Sequence, residues 1–224
     1  MRRGSVGSTP RGAFAVDAGL VKRRIVEADS QIREQRDFLT QLDAAIGDAD
    51  HGVNMHRGFV AAVATIDGST GSPGALLEAV GTTLVHRVGG AAGPLYGTAF
   101  RRIGSMLEES SVLDAEALLA ALRAGLAGVQ DLGAAVPGDK TIVDAWVPAV
   151  AAFERELHSG GSAHDATERA AGAANEGVAS TLPMQARKGR ASYLGARSIG
   201  HQDPGATSTA LLFVALERAA RPAT

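Results

Sequence analysis

Three aspartates lie close together at residues 43–50 of this 224-residue chain, within the segment LDAAIGDADHG. Asp43 falls at the end of a helical pattern, and Gly47 lets the chain fold back so that Asp48 and Asp50 can approach it. Carboxylates without a soft ligand favour Mg²⁺ or Ca²⁺, but the glycine and the bidentate glutamate of an EF-hand loop are absent here. Because Mg²⁺ leaves coordination places for phosphates, the segment predicts a magnesium site. The alternative is a solvated turn in which Asp50 caps the next helix.

Two glycine-rich segments precede predicted helices and could bind phosphate. In GGAAGP, residues 89–94, free backbone N–H groups could face an anion, with Pro94 in the first helical turn. The alternative is that these small residues let two helices cross closely. The segment GAAVPGDKT, residues 133–141, nearly spells a Walker A loop. Asp139 interrupts that motif and a helix precedes it instead of a strand, so we reject a P-loop and expect a capped helix start.

A basic cluster follows in ARKGRASYLG, with Arg187, Lys188 and Arg190 within four residues. A solvated charge run, a nucleic-acid patch and a phosphate clamp are the alternatives. The net charge of −2 and the neighbouring Gly, Ser and Tyr favour the clamp, because an arginine fork matches phosphate oxygens. Carboxylates, helix starts and arginines together indicate a site for phosphoryl chemistry.

The elements that must position these residues are predicted to be helices. Apolar residues recur at helical spacing, and no window alternates as a half-buried strand does. We expect an all-α single domain of about eight helices at residues 16–224, after a flexible tail at residues 1–15. One helix should run from about Asp17 through the stripe that ends at Leu42, the last should span Ser208 to Ala220, and Pro148 should kink a helix or mark its start.

Composition narrows the function classes. The chain has no cysteine, which excludes disulfides, thiolate metal sites and a cysteine nucleophile. Charged residues interrupt every apolar stretch, and the N-terminus lacks a continuous apolar core segment of a signal peptide. We therefore expect a cytoplasmic protein that binds neither membrane nor nucleic acid.

Four segments, taken in order, resemble the signatures of the dihydroxyacetone kinase ADP-binding subunit, the DhaL family. They are LDAAIGDADHG, GGAAGPLYGTAF, GDKTIVDAWVPAV and ARKGRASYLGARSIGHQDPGATS, and the resemblance covers the chain after the tail. It implies a closed barrel of eight antiparallel helices with the nucleotide at one end. It also implies that Asp43, Asp48 and Asp50 hold two Mg²⁺ ions that bridge the phosphates of ADP.

The resemblance further implies a set of nucleotide contacts, which are His51, Gly52, Val53, Asn54, Ala91, Ala92, Gly93, Gly133, Ile142, Arg190, Asp203, Pro204 and Gly205. Two positions depart from the family pattern. Ala92 stands where Ser is usual, so a hydroxyl contact is missing while the backbone N–H is retained. Ala196 replaces a usual acidic residue and puts a local ion pair in doubt.

The activity implied is a phosphotransferase (dihydroxyacetone, or glycerone, kinase) in which the three aspartates act through magnesium and Arg190 stabilises the transferred group. ADP would be retained, a DhaM-like phosphocarrier subunit would phosphorylate it to ATP, and a K subunit would present dihydroxyacetone. The alternatives are an ADP-binding regulator of a transcription factor, an ATP-dependent kinase subunit for a related triose or tetrose, and a helical domain with an empty site. A homodimer is also open.

Overall fold

The computed structural model describes residues 14–110 and 113–221, which form nine α-helices and one 3₁₀ segment without a strand. Eight helices pack side by side in chain order, and the last packs against the first, so that a ring closes. The ninth, Arg36–Ile46, packs on the helices that begin at His51 and Pro204, at one end of the ring. This confirms the predicted all-α barrel. The helices are α1 (Ala18–Glu34), α2 (Arg36–Ile46), α3 (His51–Ile66), α4 (Pro73–Arg87), α5 (Ala92–Glu109), α6 (Ala115–Gly133), α7 (Ile142–His158), α8 (Ala163–Ser180) and α9 (Pro204–Ala220), and the 3₁₀ segment is Arg190–Ser198.

The first predicted helix is wrong in one respect, because its apolar stripe runs through two helices. The chain bends at Gln35, where φ is −101° and ψ is 8°, and α2 begins at the next residue. Neither glycine nor proline marks this bend, and the apolar stripe continues through it. The sequence therefore contains no sign of the bend. The bend accounts for the ninth helix and directs α2 across the end of the ring.

The last helix begins four residues earlier than predicted, at Pro204 instead of Ser208. The side chain of Asp203 accepts a hydrogen bond from the Ala206 N–H at 2.6 Å and so caps the helix. Proline is well suited to the first helical position because its missing N–H would have no partner there. Sequence reasoning assigned these residues to a loop because the loop motif, GHQDPG, overlaps the cap.

Pro148 lies inside α7 and does not mark its start. A proline leaves the carbonyl four residues earlier without its helical N–H donor, and that residue is Asp144. Gly177 of α8 packs against this carbonyl so closely that a Cβ at Gly177 would lie 2.3 Å from the Asp144 oxygen. A glycine on the neighbouring helix therefore accommodates the proline.

Helices α4 and α5 approach each other along a seam of four glycines. A Cβ added to Gly81 would lie 2.6 Å from the Gly97 carbonyl oxygen, and one on Gly104 would lie 2.7 Å from the Gly74 carbonyl oxygen. The pairs run in opposite directions along the two helices, so these helices are antiparallel. Close packing of two helices was the alternative for residues 89–94, and the glycines that realise it between α4 and α5 lie outside that segment.

The predicted tail falls almost entirely outside the described residues. Phe14, in the described end of the tail, packs against the core. Val16, the first residue after the tail, donates its N–H to the Leu113 carbonyl at 2.7 Å. The domain boundary between residues 15 and 16 stays a prediction. Within residues 14–110 and 113–221, no helix combines the length and the apolar character needed to cross a lipid bilayer.

We predict opposite effects of glycine-to-alanine changes on stability at two helical positions. Gly81→Ala should lower the free energy of unfolding by about 1–3 kcal/mol, because its methyl group has no room beside α5. Gly172→Ala, on α8 with open space around its Cβ, should raise it by about 0.5–1 kcal/mol. Urea denaturation measures both, and equal effects at the two positions would contradict the seam.

Candidate functional site

The three predicted metal-binding aspartates converge at one end of the barrel. One carboxylate oxygen from each of Asp43, Asp48 and Asp50 lies within 4.8 Å of the other two. Asp43 is buried on the last turn of α2, whereas Asp48 and Asp50 are exposed in the turn before α3. These residues form the single cluster of three metal-ligating side chains within the described part of the chain.

Asp43 also holds the turn that creates the cluster. Its Oδ2 accepts hydrogen bonds from the backbone N–H groups of Asp50, at 2.9 Å, and His51, at 3.2 Å. Gly47 is required by space, because a Cβ there would lie 2.0 Å from Asp43 Oδ1. The carboxylate of α2 therefore caps α3, and the chain folds back between them.

Asp50 occupies the N-cap position of α3, as the alternative reading proposed, but its side chain makes no capping hydrogen bond. Asp43 caps the helix in its place, so the Asp50 carboxylate does not serve as a cap. Three hard oxygen donors without nitrogen or sulfur are the donor set that Mg²⁺ takes from proteins. The residues present therefore fit a magnesium ion that also binds phosphate oxygens.

A pocket of about 300 Å³ lies beside the aspartates. Its wall includes twelve of the predicted site residues, from all four signature segments of the sequence. The pocket therefore brings together residues more than 150 positions apart in the chain. These twelve are Asp43, Asp48, Asp50, His51, Ala91, Ala92, Gly133, Ile142, Arg190, Asp203, Pro204 and Gly205.

Four other predicted contacts do not line the pocket. Gly52 packs against the Arg36 carbonyl, Gly93 packs against the Val88 carbonyl, and Val53 is half exposed on α3. Asn54 is buried and accepts a hydrogen bond from Arg57 Nη2 at 2.7 Å. For these four residues, contact with a nucleotide stays a prediction.

Four helices begin at the pocket wall, and their N-termini differ in how they are capped. The side chain of Asp43 caps α3, that of Thr141 forms a capping box with Asp144 at α7, and Asp203 caps α9. Ala91, at the N-cap position of α5, has no side chain that could do so. The first N–H groups of a helix have no partner within it, so the α5 terminus is the one suited to an anion.

Arg190 reaches across the mouth of the pocket to the aspartate cluster. Its Nη2 lies 3.0 Å from Asp48 Oδ2, although the two residues belong to the 3₁₀ segment and to the α2–α3 turn. The arginine side chain is 69% exposed, so it can turn without leaving a buried charge unpaired. The predicted phosphate-binding arginine and a predicted metal ligand are thus paired with each other.

A buried hydrogen-bond network joins three walls of the pocket. His51 Nε2 lies 2.9 Å from Ser208 Oγ, which lies 2.7 Å from the Tyr96 hydroxyl. Tyr96 also contacts Thr209 Oγ1 at 2.8 Å and donates to the Gly205 carbonyl at 3.0 Å. Burial raises the pKa of the Tyr96 hydroxyl. Burial also lowers the pKa of His51, although the nearby carboxylates of Asp43 and Asp50 act to raise it. The network fixes α3, α5 and α9 relative to one another.

Asp203 and Lys140 are buried charges at the edge of the same pocket. Burial, together with the nearby carboxylates of Asp144 and Asp43, raises the pKa of Asp203 to about 7, while the Ala206 N–H and Lys140 oppose this shift. Burial also lowers the pKa of Lys140. The Nζ of this lysine, which belongs to the Walker-like segment, donates hydrogen bonds to backbone carbonyls, among them that of Thr181 at 2.9 Å.

Sequence reasoning missed several residues that build the site. Tyr96 and Lys140 are the most connected of them, and their partners lie between 41 and 113 residues away in the chain, so local spacing carried no signal for them. Lys188 and Gly189 line the pocket beside Arg190, as the basic cluster had suggested. Gly89 and Gly90, from the predicted phosphate-binding segment, also line the pocket. The remaining missed wall is mainly apolar and includes Ile46, Leu95, Val129, Ala135 and Val143.

Comparison with known proteins identifies relatives over most of the chain. The DAK2 domain model matches residues 45–218. The chain is 46% identical over 188 residues to the PEP-dependent dihydroxyacetone kinase, ADP-binding subunit DhaL, of Escherichia coli, covering 84% of this chain and 90% of that protein. It is 42% identical over 187 residues to the corresponding subunit of kinase 1 of Listeria innocua, covering 83% and 88%.

A longer relative and a solved structure extend the comparison. The L-erythrulose 1-kinase of Mycolicibacterium smegmatis is 38% identical over 182 residues, which cover 80% of this chain and 31% of that enzyme. The dihydroxyacetone kinase of C. freundii, solved with AMP-PNP and Mg²⁺, has a TM-score of 0.68 at 23% identity. That match covers 97% of this chain and 37% of the other, and it shows a shared fold.

The family model spans most of the chain, and subunits of similar length are more than 40% identical to it. The chain therefore belongs to the DAK2 domain family, among the DhaL-type ADP-binding subunits of dihydroxyacetone kinase.

Proposed function

We propose that this chain is the nucleotide-binding subunit of a dihydroxyacetone kinase. It would hold Mg-ADP and Mg-ATP in the barrel-end pocket and transfer the terminal phosphoryl group to dihydroxyacetone on a partner K subunit. The observation that carries the proposal is the convergence of three aspartates beside the uncapped N-terminus of α5. The names of the E. coli and L. innocua relatives support the same assignment.

Asp43, Asp48 and Asp50 would bind magnesium, two ions as the family resemblance implies. When bound, the metal would neutralise charge between the β- and γ-phosphates. Asp43 is already fixed by two backbone N–H groups, so it would orient the metal without reorganisation. The exposed Asp48 and Asp50 can adjust to it, and Asp48 would exchange its arginine partner for the metal.

The N-terminus of α5 and Arg190 would bind the phosphate oxygens. Backbone N–H groups at Ala91–Gly93 would donate to the phosphates, which the helix dipole also favours. Ala92 offers this backbone group but no hydroxyl, in contrast to the usual serine. Arg190 would turn from Asp48 to the transferred group and stabilise the charge on its equatorial oxygens.

The names and lengths of the relatives support one choice of donor and acceptor. The PEP-dependent subunits match along 88–90% of their length, which favours a phosphocarrier subunit as donor and a separate K subunit that carries the sugar. The erythrulose kinase matches along 31% of its length, so a related sugar is the alternative acceptor. The pocket described here would contact the nucleotide, and the partner would select the sugar.

We predict that Asp50→Asn weakens Mg-ADP binding by about 100-fold, because it removes a metal ligand whose carboxylate makes no capping hydrogen bond. Isothermal titration calorimetry with Mg-ADP measures the loss. Asp67→Asn is the matched control, because Asp67 is exposed at the other end of α3. Binding of Mg-ADP by Asp50→Asn as tight as by Asp67→Asn would contradict the metal assignment.

We predict that Arg190→Ala lowers kcat by about 100-fold or more while changing the affinity for Mg-ADP much less, since the arginine would act on charge that develops during transfer. Arg197→Ala is the control, because Arg197 is an exposed cation in the same 3₁₀ segment. Equal losses of kcat in the two variants would argue against a role for Arg190 in transfer.

We predict that the chain, mixed with its cognate K subunit, phosphocarrier subunit and PEP, converts dihydroxyacetone to its phosphate. Omitting the phosphocarrier and supplying free ATP tests the other donor, and erythrulose tests the other acceptor. Tight Mg-ADP binding without transfer from either donor to either sugar would favour the regulatory module over the kinase subunit.

A further inference from the structure

Lys140 places a charged ammonium group inside the protein, where only 1% of the residue is exposed. Its Nζ donates to the carbonyl oxygens of Thr181 at 2.9 Å, Ser198 at 2.8 Å and Met184 at 3.1 Å, and also to that of His201. An ammonium group has three N–H donors, so four carbonyl oxygens share them. Hydrogen bonds of this kind are charge-assisted and stronger than those between neutral groups.

The four carbonyls belong to one stretch of chain, residues 181–201, which connects α8 to α9. Apart from the 3₁₀ turns, this connection has no regular structure, and Gly195 interrupts the 3₁₀ segment with a φ of 56°. Most of its side chains are exposed or half-buried. Lys140 therefore contacts both the beginning and the end of a segment that has little core of its own.

The same connection supplies one wall of the pocket. Lys188, Gly189, Arg190 and Ala191 line it, and Arg190 reaches Asp48 on the opposite side. A second link supports the arrangement, because the Arg187 N–H donates to the Asp139 carbonyl at 3.1 Å. The residues just before α7 thus hold the loop that bears the arginine.

Lys140 itself adopts a backbone conformation that is costly for a side-chain-bearing residue, with φ at 62°. Glycine would adopt it freely and would leave the carbonyls without a donor. Burial of the ammonium adds a further cost. The hydrogen bonds from Nζ to the four carbonyl oxygens offset both costs. They indicate that the side chain acts on the connection rather than on the pocket.

We propose that Lys140 is a positioning residue that fixes the connection between α8 and α9, and through it sets the place of Arg190 over the aspartate cluster. The role assigned to Arg190 rests on the proposed function. The fixing of the connection by Lys140 does not depend on it. Asp43 lies on α2, and Asp48 and Asp50 lie in the turn before α3. All three are outside this connection, so their arrangement should survive the loss of Lys140.

The first measurement is hydrogen exchange on the ligand-free chain, comparing Lys140→Met with the unaltered protein. We expect exchange to accelerate by about tenfold or more in residues 182–201 and to stay unchanged in residues 43–55. Acceleration spread equally over the whole barrel, or unchanged exchange in residues 182–201, would overturn the proposal. Hydrogen exchange requires no kinase activity, so this measurement tests the role of Lys140 even if the proposed function is wrong.

The second measurement is a double-mutant cycle between Lys140 and Arg190 on kcat in the reconstituted kinase. Arg190→Ala should lower kcat by about 100-fold in the unaltered chain and by less than about threefold in Lys140→Met, because that arginine would already be displaced. Equal losses in the two backgrounds would show that Lys140 serves stability alone. If Lys140→Met does not fold, Lys140→Gln, which keeps two N–H donors, takes its place in both measurements.

Discussion

The buried carboxylate of Asp43 is the contact on which the site depends. It accepts the first N–H groups of α3 and so joins the end of one helix to the start of the next. The same group lies within reach of Asp48 and Asp50. Because a capped helix start and a metal ligand are here one side chain, the fold of the turn and the arrangement of the carboxylates cannot be separated. Gly47 makes this possible by leaving the space that a methyl group would fill.

The capping pattern around the pocket decides where an anion can bind. Side chains of the protein itself satisfy the starts of α3, α7 and α9, and a negative group at any of them would meet a carboxylate already present or nearby. The start of α5 offers alanine and glycine at the pocket wall. In the proposed function, this distribution of caps would favour a cation beside the aspartates and an anion at the start of α5.

Sequence alone predicted the parts of the site whose members are neighbours in the chain. The aspartate cluster spans eight positions, and the glycines in and beside it indicated a tight turn. Its convergence therefore followed from local geometry. The bend at Gln35 was not predictable, because neither glycine nor proline marks it and the apolar stripe continues through it. Lys140 was equally hidden, since its acceptors are backbone carbonyls, which every residue type provides.

The glycines show a second limit of prediction from the sequence. Their concentration in loops pointed to a binding site, and Gly133 and Gly205 line the pocket. Gly52 and Gly93 lie in equally suggestive segments but serve the packing of helices. Only the neighbour that a methyl group would meet distinguishes the two uses, and that neighbour is a property of the tertiary structure.

The ion pair between Arg190 and Asp48 affects how a phosphate and a cation would bind to the pocket together. The Arg190 side chain is 69% exposed and the Asp48 side chain 37%. Exposed pairs contribute about 0–1 kcal/mol, so this pair is easily exchanged for other partners. A phosphate that draws the arginine away frees the aspartate for a cation, and a cation that takes the aspartate frees the arginine for a phosphate. In the proposed function, each ligand would therefore increase the affinity for the other by the same factor, and nucleotide and metal would be coupled thermodynamically through a contact that neither of them makes.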